Sequence, residues 1–235
     1  MIKFLAKGLI RDRSRSLFPL LTIIITVTLV IFGIGFMEGA MNNFLQSTAV
    51  ISSGHVKVVT KAYEKESSQL PNDLALFETN KIIQNLSDLY PNYFWTPRIT
   101  FGGLLDTPNE DGDTKEQAPV FGIGIDFHSK TSRQIEIWEL EKYLLHGNLP
   151  KNTNDALIST KLAKQLSVNV GSTVTLISTT MDNAFTTYNF EITGIFNLNK
   201  GQVDRQMMLV DISGARQALG MESAASEILG YHQSL

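Results

Sequence analysis

No cysteine occurs among the 235 residues, so no disulfide braces any part of the chain. That is compatible with an oxidising compartment without indicating one. The short motifs that hold nucleotides or metals are missing too. There is no G-x-x-x-x-G-K-[ST] phosphate loop and no H-E-x-x-H. The four histidines, His55, His128, His146 and His232, are scattered, with no zinc-ligand spacing. No G-x-S-x-G elbow is present. Nothing marks two of the many acids as an acid/base pair. No catalytic residue, metal ligand or cofactor site is therefore expected within this chain.

Charge is absent from one stretch, Leu17–Met37 (LFPLLTIIITVTLVIFGIGFM). As a helix its 21 residues would span about 31 Å, the thickness of a bilayer's hydrocarbon core. In lipid each backbone N–H and C=O must be paired within the segment, so an isolated span has to be helical despite its β-branched content. Pro19 falls in the expected first turn, where a missing N–H matters little. Thr22, Thr26 and Thr28 can return their hydroxyls to backbone carbonyls. A signal peptide would have a shorter apolar core and a small-x-small cleavage site. Gly39-Ala40 comes nearest, and an Asn-rich amphipathic stretch follows it. A buried helix of a soluble protein rarely runs this long without a charge. A plain single-pass anchor is a third alternative.

The flanks orient the span. Lys3, Lys7, Arg11, Arg13 and Arg15 precede it with one acid, Asp12, whereas Glu38 follows and no base comes before Lys57. Positive charge stays inside, so the N-terminus is expected in the cytoplasm and residues from about 40 onward outside. Of 20 Lys+Arg and 23 Asp+Glu, five bases and one acid lie in the first 15 residues, leaving the remainder at −7. An acidic exterior argues against nucleic-acid binding. Residues 1–16 read as an amphipathic helix in the inner headgroup layer, its basic stripe the membrane-interface set. Beyond the span, Met37, Met41, Phe44 and Leu45 keep helical spacing, so 38–47 reads as a helical stalk.

The exterior part holds one large domain or two small ones. His55–Val59 alternates like a strand. Lys61–Asn72 reads as a polar loop, Leu74–Leu89 as a helix stopped by Pro91, and Tyr93–Leu105 as a strand: a first βαβ-like unit. Asp106–Gln117 is acidic and lacks the order of a calcium loop; a hairpin tip with Asp111-Gly112 at the bend is the better reading. Val120–Asp126 is a strand whose Gly122 and Gly124 serve close packing. Ile135–Leu145 reads as a helix ending at Gly147. Asp155–Ser159 is a strand, Ser159 or Thr160 caps the helix Lys161–Leu166, and Val168–Gly171 turns into the strand Ser172–Ser178. Thr186–Phe196 and Gln206–Val210 are strands. Asp211 caps a helix over Ile212–Leu219 closed by Gly220, and Ala225–Leu229 completes a second βαβ unit. The two units flank a β-rich insertion, and no further repeat is visible. The fold class is α+β: a transmembrane helix with a stalk, then a mixed α/β exterior domain.

Several landmarks together resemble a known family. They are FLAKGLIRDRSRSLF running into the span, Gly54-His55-Val56-Lys57-Val58, Gly122-Ile-Gly-Ile-Asp126, the stretch Leu145–Leu176, and FEITGIFNLNKGQVDRQMMLVD at Phe190–Asp211. The sharpest is D-x-x-x-S-x-x-x-A-x-x-L-x-x-x-x-G-x-x-V-x-L, on Asp155, Ser159, Ala163, Leu166, Gly171, Val174 and Leu176. The chain is similar in these to the FtsX/MacB-like ABC transporter permeases, which include the lipoprotein-releasing permeases. The resemblance implies a βαβ-type porter part, 48–105 and 201–235, split by a sabre insertion, 106–200. It implies a cell inner-membrane permease that pairs with a second permease subunit, as a homo- or heterodimer. It also implies a cytoplasmic ABC ATPase that binds the ATP, and a lipoprotein or other periplasmic partner. In this family ATP moves the exterior domains, which is termed mechanotransmission. The family has three more spans near its C-terminus, so the chain is expected to be an N-terminal portion. A single-pass anchored sensor or binding domain is the alternative.

One topology test follows. A tag inserted in the 168–171 turn should be digested by protease added to intact spheroplasts, and an N-terminal tag only after lysis. The opposite pattern overturns the orientation.

Overall fold

The computed structural model describes residues 13–48, 51, 53–108, 114–129, 133–198 and 205–232, with the backbone alone for 13–16 and 41–48. The chain divides into two units, Met1–Ala49 and Val50–Leu235.

The first unit contains one long helix, α1 (Arg13–Thr48), 36 residues and about 54 Å in length. Its stretch able to cross a membrane is Leu17–Ala40, with a mean hydropathy of 2.6. This passes the expected end at Met37 because Gly39 and Ala40 continue the apolar run beyond Glu38. The large apolar side chains from Leu17 to Met37 are exposed, which in water would be strongly unfavourable and in a bilayer is not. Thr22 and Thr26 donate to the carbonyls of Phe18 and Thr22 at 2.9 and 2.7 Å. Pro19 lies in the second turn and not the first, because the helix is already formed at Arg13. Lys3, Lys7 and Arg11 lie outside the described residues. Arg13, Arg15, Met41, Phe44 and Leu45 lie on α1, their side chains undescribed.

The second unit begins with β1 (Val56–Val58), α2 (Lys61–Glu66), short 3-10 turns at Ser67–Gln69 and Asn72–Leu74, and α3 (Thr79–Leu89). β2 (Tyr93–Pro108), β3 (Thr114–Ile125), α4 (Gln134–Ile137), α5 (Leu140–Tyr143) and β4 (Leu144–Gly147) follow. Then come β5 (Asp155–Ser159), α6 (Thr160–Leu166), β6 (Thr173–Thr179) and β7 (Phe185–Phe196). Last are β8 (Met207–Asp211), α7 (Ile212–Leu219) and β9 (Glu227–His232).

Four expectations need correction. The loop expected at Lys61–Asn72 is largely helical: Thr60 caps α2 by accepting from Tyr63 N, and Tyr63 is buried. This polar run is tied down by Tyr63, by Thr60 Oγ1 donating to the Leu74 carbonyl at 2.7 Å, and by Asn72. The helix expected from Leu74 starts at Thr79, because Leu76 instead bridges Ala225 in the sheet. The helix expected at Ile135–Leu145 is two single turns, separated at Glu139 with φ +50°, and its end is β4. Trp138 and Leu140 are both buried there, which a straight helix two residues apart in sequence would not achieve. The last strand begins at Glu227, since Ala225 is spent on Leu76. The Asp111-Gly112 bend lies outside the described residues; the strand ends around it pair as a hairpin, Asp106↔Gln117.

Six strands close a ring. β2 pairs β3, β3 pairs β8, β8 pairs β5, β5 pairs β7, and β7 pairs β6. β6 returns to β2 through Leu104↔Ile177, Leu105↔Leu176 and Asp106↔Thr175. Closure leaves these strands no free edge. Alternate residues face one core: Phe101, Leu105, Val120, Ile158, Val174, Leu176, Phe190 and Met208, joined by Leu162 and Leu166 of α6 and Leu219 of α7. The intervening residues Ile123, Leu157, Phe196 and Leu209 enter a second cluster with Phe127, Trp138 and Leu140. Gly122 and Gly124 give the room that the ring needs: a Cβ there would lie 2.1 Å from the Phe101 ring and 2.7 Å from Ala215 Cβ. β1 and β9 extend from the first half of β2, and β4 lies on β7.

The ring also repeats internally. Hairpin β2–β3, strand β5 and helix α6 are followed by hairpin β6–β7, strand β8 and helix α7. Each single strand runs parallel to the last strand of the other repeat's hairpin, β5 with β7 and β8 with β3, while β5 and β8 are antiparallel. Ser159 caps α6 at Leu162 N and Asp211 caps α7 at Ser213 N. Both helices end on a left-handed residue, Ser167 and Gly220. Aligned at their caps, Ala163-Lys164-Gln165 meets Ala215-Arg216-Gln217.

Gly147 (φ +84°) and Gly171 (φ +90°) separate backbone freedom from space. A Cβ at Gly147 would stand 2.1 Å from the Thr193 carbonyl oxygen, whereas at Gly171 nothing lies within 4 Å. Gly171→Ala should cost about 1–2 kcal/mol from backbone strain alone. Gly147→Ala should cost about 1–3 kcal/mol more. Chemical denaturation of the two variants checks the order.

Candidate functional site

The residues of the sharp sequence pattern come together in β5, α6 and β6, as a structural unit. The Asp155 carboxylate accepts from the backbone N–H groups of Lys151 and Asn152 at 2.8 and 2.9 Å and from Asn152 Nδ2 at 3.3 Å, closing the loop that leads into β5. Ser159 Oγ accepts from Leu162 N at 3.2 Å. Ala163, Leu166, Val174 and Leu176 are buried in the ring core. Gly171 makes the turn into β6, and its N–H donates to the Ile192 carbonyl at 2.7 Å. An open groove of about 330 Å3 lies beside this unit, with Asn148, Lys151, Asp155, Glu191 and Thr193 on its walls. Asp155 is the buried acid there, and its oxygens are already engaged with the loop.

The histidines are not gathered. His128 Nε2 stands 3.6 Å from Asp211, whose carboxylate also holds Phe127 N and caps α7. His55 Nδ1 accepts from His232 N at 3.3 Å. Among the described residues no three potential metal ligands cluster.

The most unusual chemistry lies on one face of the β1–β9–β2 sheet. Arg98 and Glu227 stand directly opposite in the β2–β9 register and are each 4% exposed. Arg98 Nε and Nη2 contact Glu227 Oε1 at 2.7 and 2.5 Å. Arg98 Nη1 donates to the carbonyl oxygen of Ile51 at 2.6 Å. Lys57 Nζ of β1 is 3.7 Å from Glu227 Oε2. One guanidinium thus ties together β2, β9 and the segment just before β1. Arginine suits this role because its planar fork presents several donors in fixed directions.

Polar side chains continue along the same face. Thr100 N donates to Ser226 Oγ at 3.0 Å, Ser226 Oγ to Asn72 Oδ1 at 2.6 Å, and Asn72 Nδ2 to the Thr100 carbonyl at 3.1 Å. The Tyr63 hydroxyl meets Thr100 Oγ1 at 2.8 Å. Trp138 Nε1 donates to Tyr231 OH at 3.3 Å. Burial pushes both tyrosine hydroxyls above their ordinary pKa, and the hydrogen bonds from Thr100 and Trp138 only partly oppose it. The phenols are therefore held in their neutral form, each hydrogen-bonded to a neutral side chain. Sequence reasoning missed this site. Its signal was a single arginine in the apolar run YFWTPRITF and a single glutamate in ASEILGY.

The sequence matches the MacB-like periplasmic core domain over residues 16–229. The chain belongs to this family. The family is a component of ABC transporter permeases rather than an enzyme family. The MacB-like domain seen here is also similar to the crystal structure of the periplasmic region of MacB from Actinobacillus actinomycetemcomitans. Identity is 14% and the TM-score 0.44, over 68% of this chain and 66% of that chain. No curated protein matches the chain.

Removing one partner of a buried ion pair strands the other, so Arg98→Met or Glu227→Gln in the MacB-like domain should cost about 3–5 kcal/mol. Replacing both by Met should recover most of that loss. Denaturant unfolding followed by the buried Trp95 and Trp138 fluorescence reads the difference.

Proposed function

We propose that this chain forms the first membrane span and the exterior domain of an ABC transporter permease that works by mechanotransmission. A cytoplasmic ATPase partner binds and hydrolyses ATP, and this chain needs no cofactor of its own. The basic foot, Lys3, Lys7, Arg11, Arg13 and Arg15, lies at the inner surface of the cell membrane. The exterior domain moves against a second permease subunit and acts on a lipoprotein, lipid or peptide cargo or on a periplasmic partner.

The observation that carries this reading is the continuity of α1. The helix runs to Thr48, eight residues beyond the apolar stretch ending at Ala40. A simple anchor has no use for that extension, whereas a rod that must shift or turn a domain outside the membrane needs it. The family supports the same reading. We further assign β1, α3, β9 and the first half of β2 to the porter-like part, and the closed ring to the sabre-like part. Their border then falls near Arg98, where β2 passes from pairing β9 to pairing β3, and not at 105.

Breaking the rod tests the proposal. Asn42→Pro in the complete permease with its ATPase should leave assembly intact and lower cargo-stimulated ATP turnover at least tenfold, since proline kinks a helix interior. Unchanged coupling would remove the rod as the relay, and failure of the full-length protein to associate with an ATPase would favour the anchored sensor.

A further inference from the structure

We propose that the outside of the ring across β3, β2, β6 and β7 is the surface on which a second copy of this chain docks, as a two-fold pair. This rests on the mechanotransmission reading, in which two permease subunits pair, and names the part of the exterior domain that meets its counterpart.

Side chains alternate between the two faces of a strand. Phe101, Leu105, Val174, Leu176 and Phe190 enter the ring core, so the residues between them lie on the outside. Register sets these in rows across the four strands. Leu104 on β2 pairs with Pro119 on β3 and Ile177 on β6, and Ile177 pairs with Thr187 on β7. One row nearer the β6–β7 hairpin, Gly102 pairs with Phe121 and Thr179 with Phe185. Leu104 is 42% exposed and Phe185 74%, the highest value for a large apolar side chain among the described residues of this unit. Pro119 is exposed and Ile177 half-buried. An apolar strip thus crosses the outside of the ring, open to solvent, and such strips mark contact surfaces.

The charges decide what fits it. Lys115 stands exposed at one end of β3, and Glu191 stands exposed at the same end of β7, opposite Thr173. The two lie on the outermost strands of the face, and among the described residues neither has an ion-pair partner. A two-fold axis along the strands, between two such faces, exchanges left and right and keeps every row. It sets β3 of one copy against β7 of the other, and β2 against β6. Lys115 then meets the partner's Glu191, twice. Leu104 meets the partner's Ile177. Phe185 meets the partner's Phe121, beside Gly102, which has no side chain to obstruct it. Asp106, which accepts from Gln117 at 3.1 Å, meets the partner's Thr175, so these rows oppose no like charges. Such self-complementarity is the mark of an isologous contact. One base and one acid at exchangeable positions suit a second copy, whereas an unrelated partner gives no reason for the arrangement.

Strand spacing and rise make the face about 19 by 24 Å. The ring curves away at β3 and β7, where the long side chains of Lys115 and Glu191 can span the wider gap. Roughly 900 Å2 over both copies is less than a stable free dimer buries. Two copies held in one assembly need less, because tethering raises their effective concentration. The contact therefore forms between assembled subunits and is weak enough to part again.

The test uses the complete permease with its ATPase, reconstituted in lipid. This chain has no cysteine, so Pro119→Cys with Thr187→Cys supplies thiols at positions that the two-fold brings face to face. Facing sheets lie about 10 Å apart, and a bismaleimide of that reach should join two copies covalently. Adding Lys115→Glu should lower the yield of joined dimer about tenfold, because like charges then face each other. Adding Glu191→Lys as well should restore it. The melting temperature should stay constant throughout, since both side chains are exposed. Absence of a joined dimer overturns the proposal, and so does a yield that ignores the charge reversal or a product that contains a different permease subunit. The reading beneath it fails separately. If Asn42→Pro leaves ATP coupling intact while the joined dimer forms and follows the charges, the docking face stands and the relay does not. If Asn42→Pro abolishes coupling and no dimer forms, the relay stands and the docking face does not.

Discussion

The exterior fold depends on the length of one strand. β2 is 16 residues long and serves two constructions in turn. Its first half pairs β9, and its second half pairs β3 on one edge and β6 on the other. Buried backbone groups must be paired, so a strand shared between a small open sheet and a closed ring has to keep register through both. Pro97 falls within the β9-paired stretch, opposite Ile228, and Gly102 and Gly103 fall where β2 meets the ring. At Gly103 a Cβ would stand 2.6 Å from the Ile177 carbonyl oxygen. The residues that look like interruptions in the sequence are those that let one strand bend from one neighbour set to the next.

Local structure was legible wherever one short segment contains its own determinants. Asp155–Ser159, its cap and its helix follow from a run of apolar residues, a serine and a 3.6-residue period, and so do Asp211 and α7. The span is legible for the same reason. What was not legible is nonlocal. Ring closure depends on three residue pairs between β2 and β6, about seventy positions apart, and no local pattern announces them. The internal repeat is visible in topology and nearly erased in sequence, where the two helix caps and the match of Ala163-Lys164-Gln165 with Ala215-Arg216-Gln217 are its trace. Between Gln134 and Leu145 a helical period misled, since Trp138 and Leu140 bury their side chains by breaking the helix between them.

The site was hidden for a related reason. A lone arginine in an apolar strand is costly unless a partner arrives from elsewhere, and Glu227 comes from 129 residues away. The sequence shows two anomalies of opposite sign without showing that they are one feature. By contrast Asp106 and Glu116, the described acids of the conspicuous stretch Asp106–Gln117, flank a hairpin end and belong to no ligand set among the described residues.

A buried ion pair is a weak way to stabilise a domain, because desolvation consumes most of the attraction, and apolar side chains of similar size would serve as well or better. Its presence on a face that also carries Tyr63, Thr100, Ser226 and Asn72 therefore calls for a reason other than stability. Apolar packing is non-directional: a leucine at 98 would cover Ile51 but would let the chain slide over it. A guanidinium that donates to a named carbonyl fixes both position and direction. That directional hold, which sets the Ile51 carbonyl in a fixed position against β2 and β9, is what the extra desolvation cost obtains.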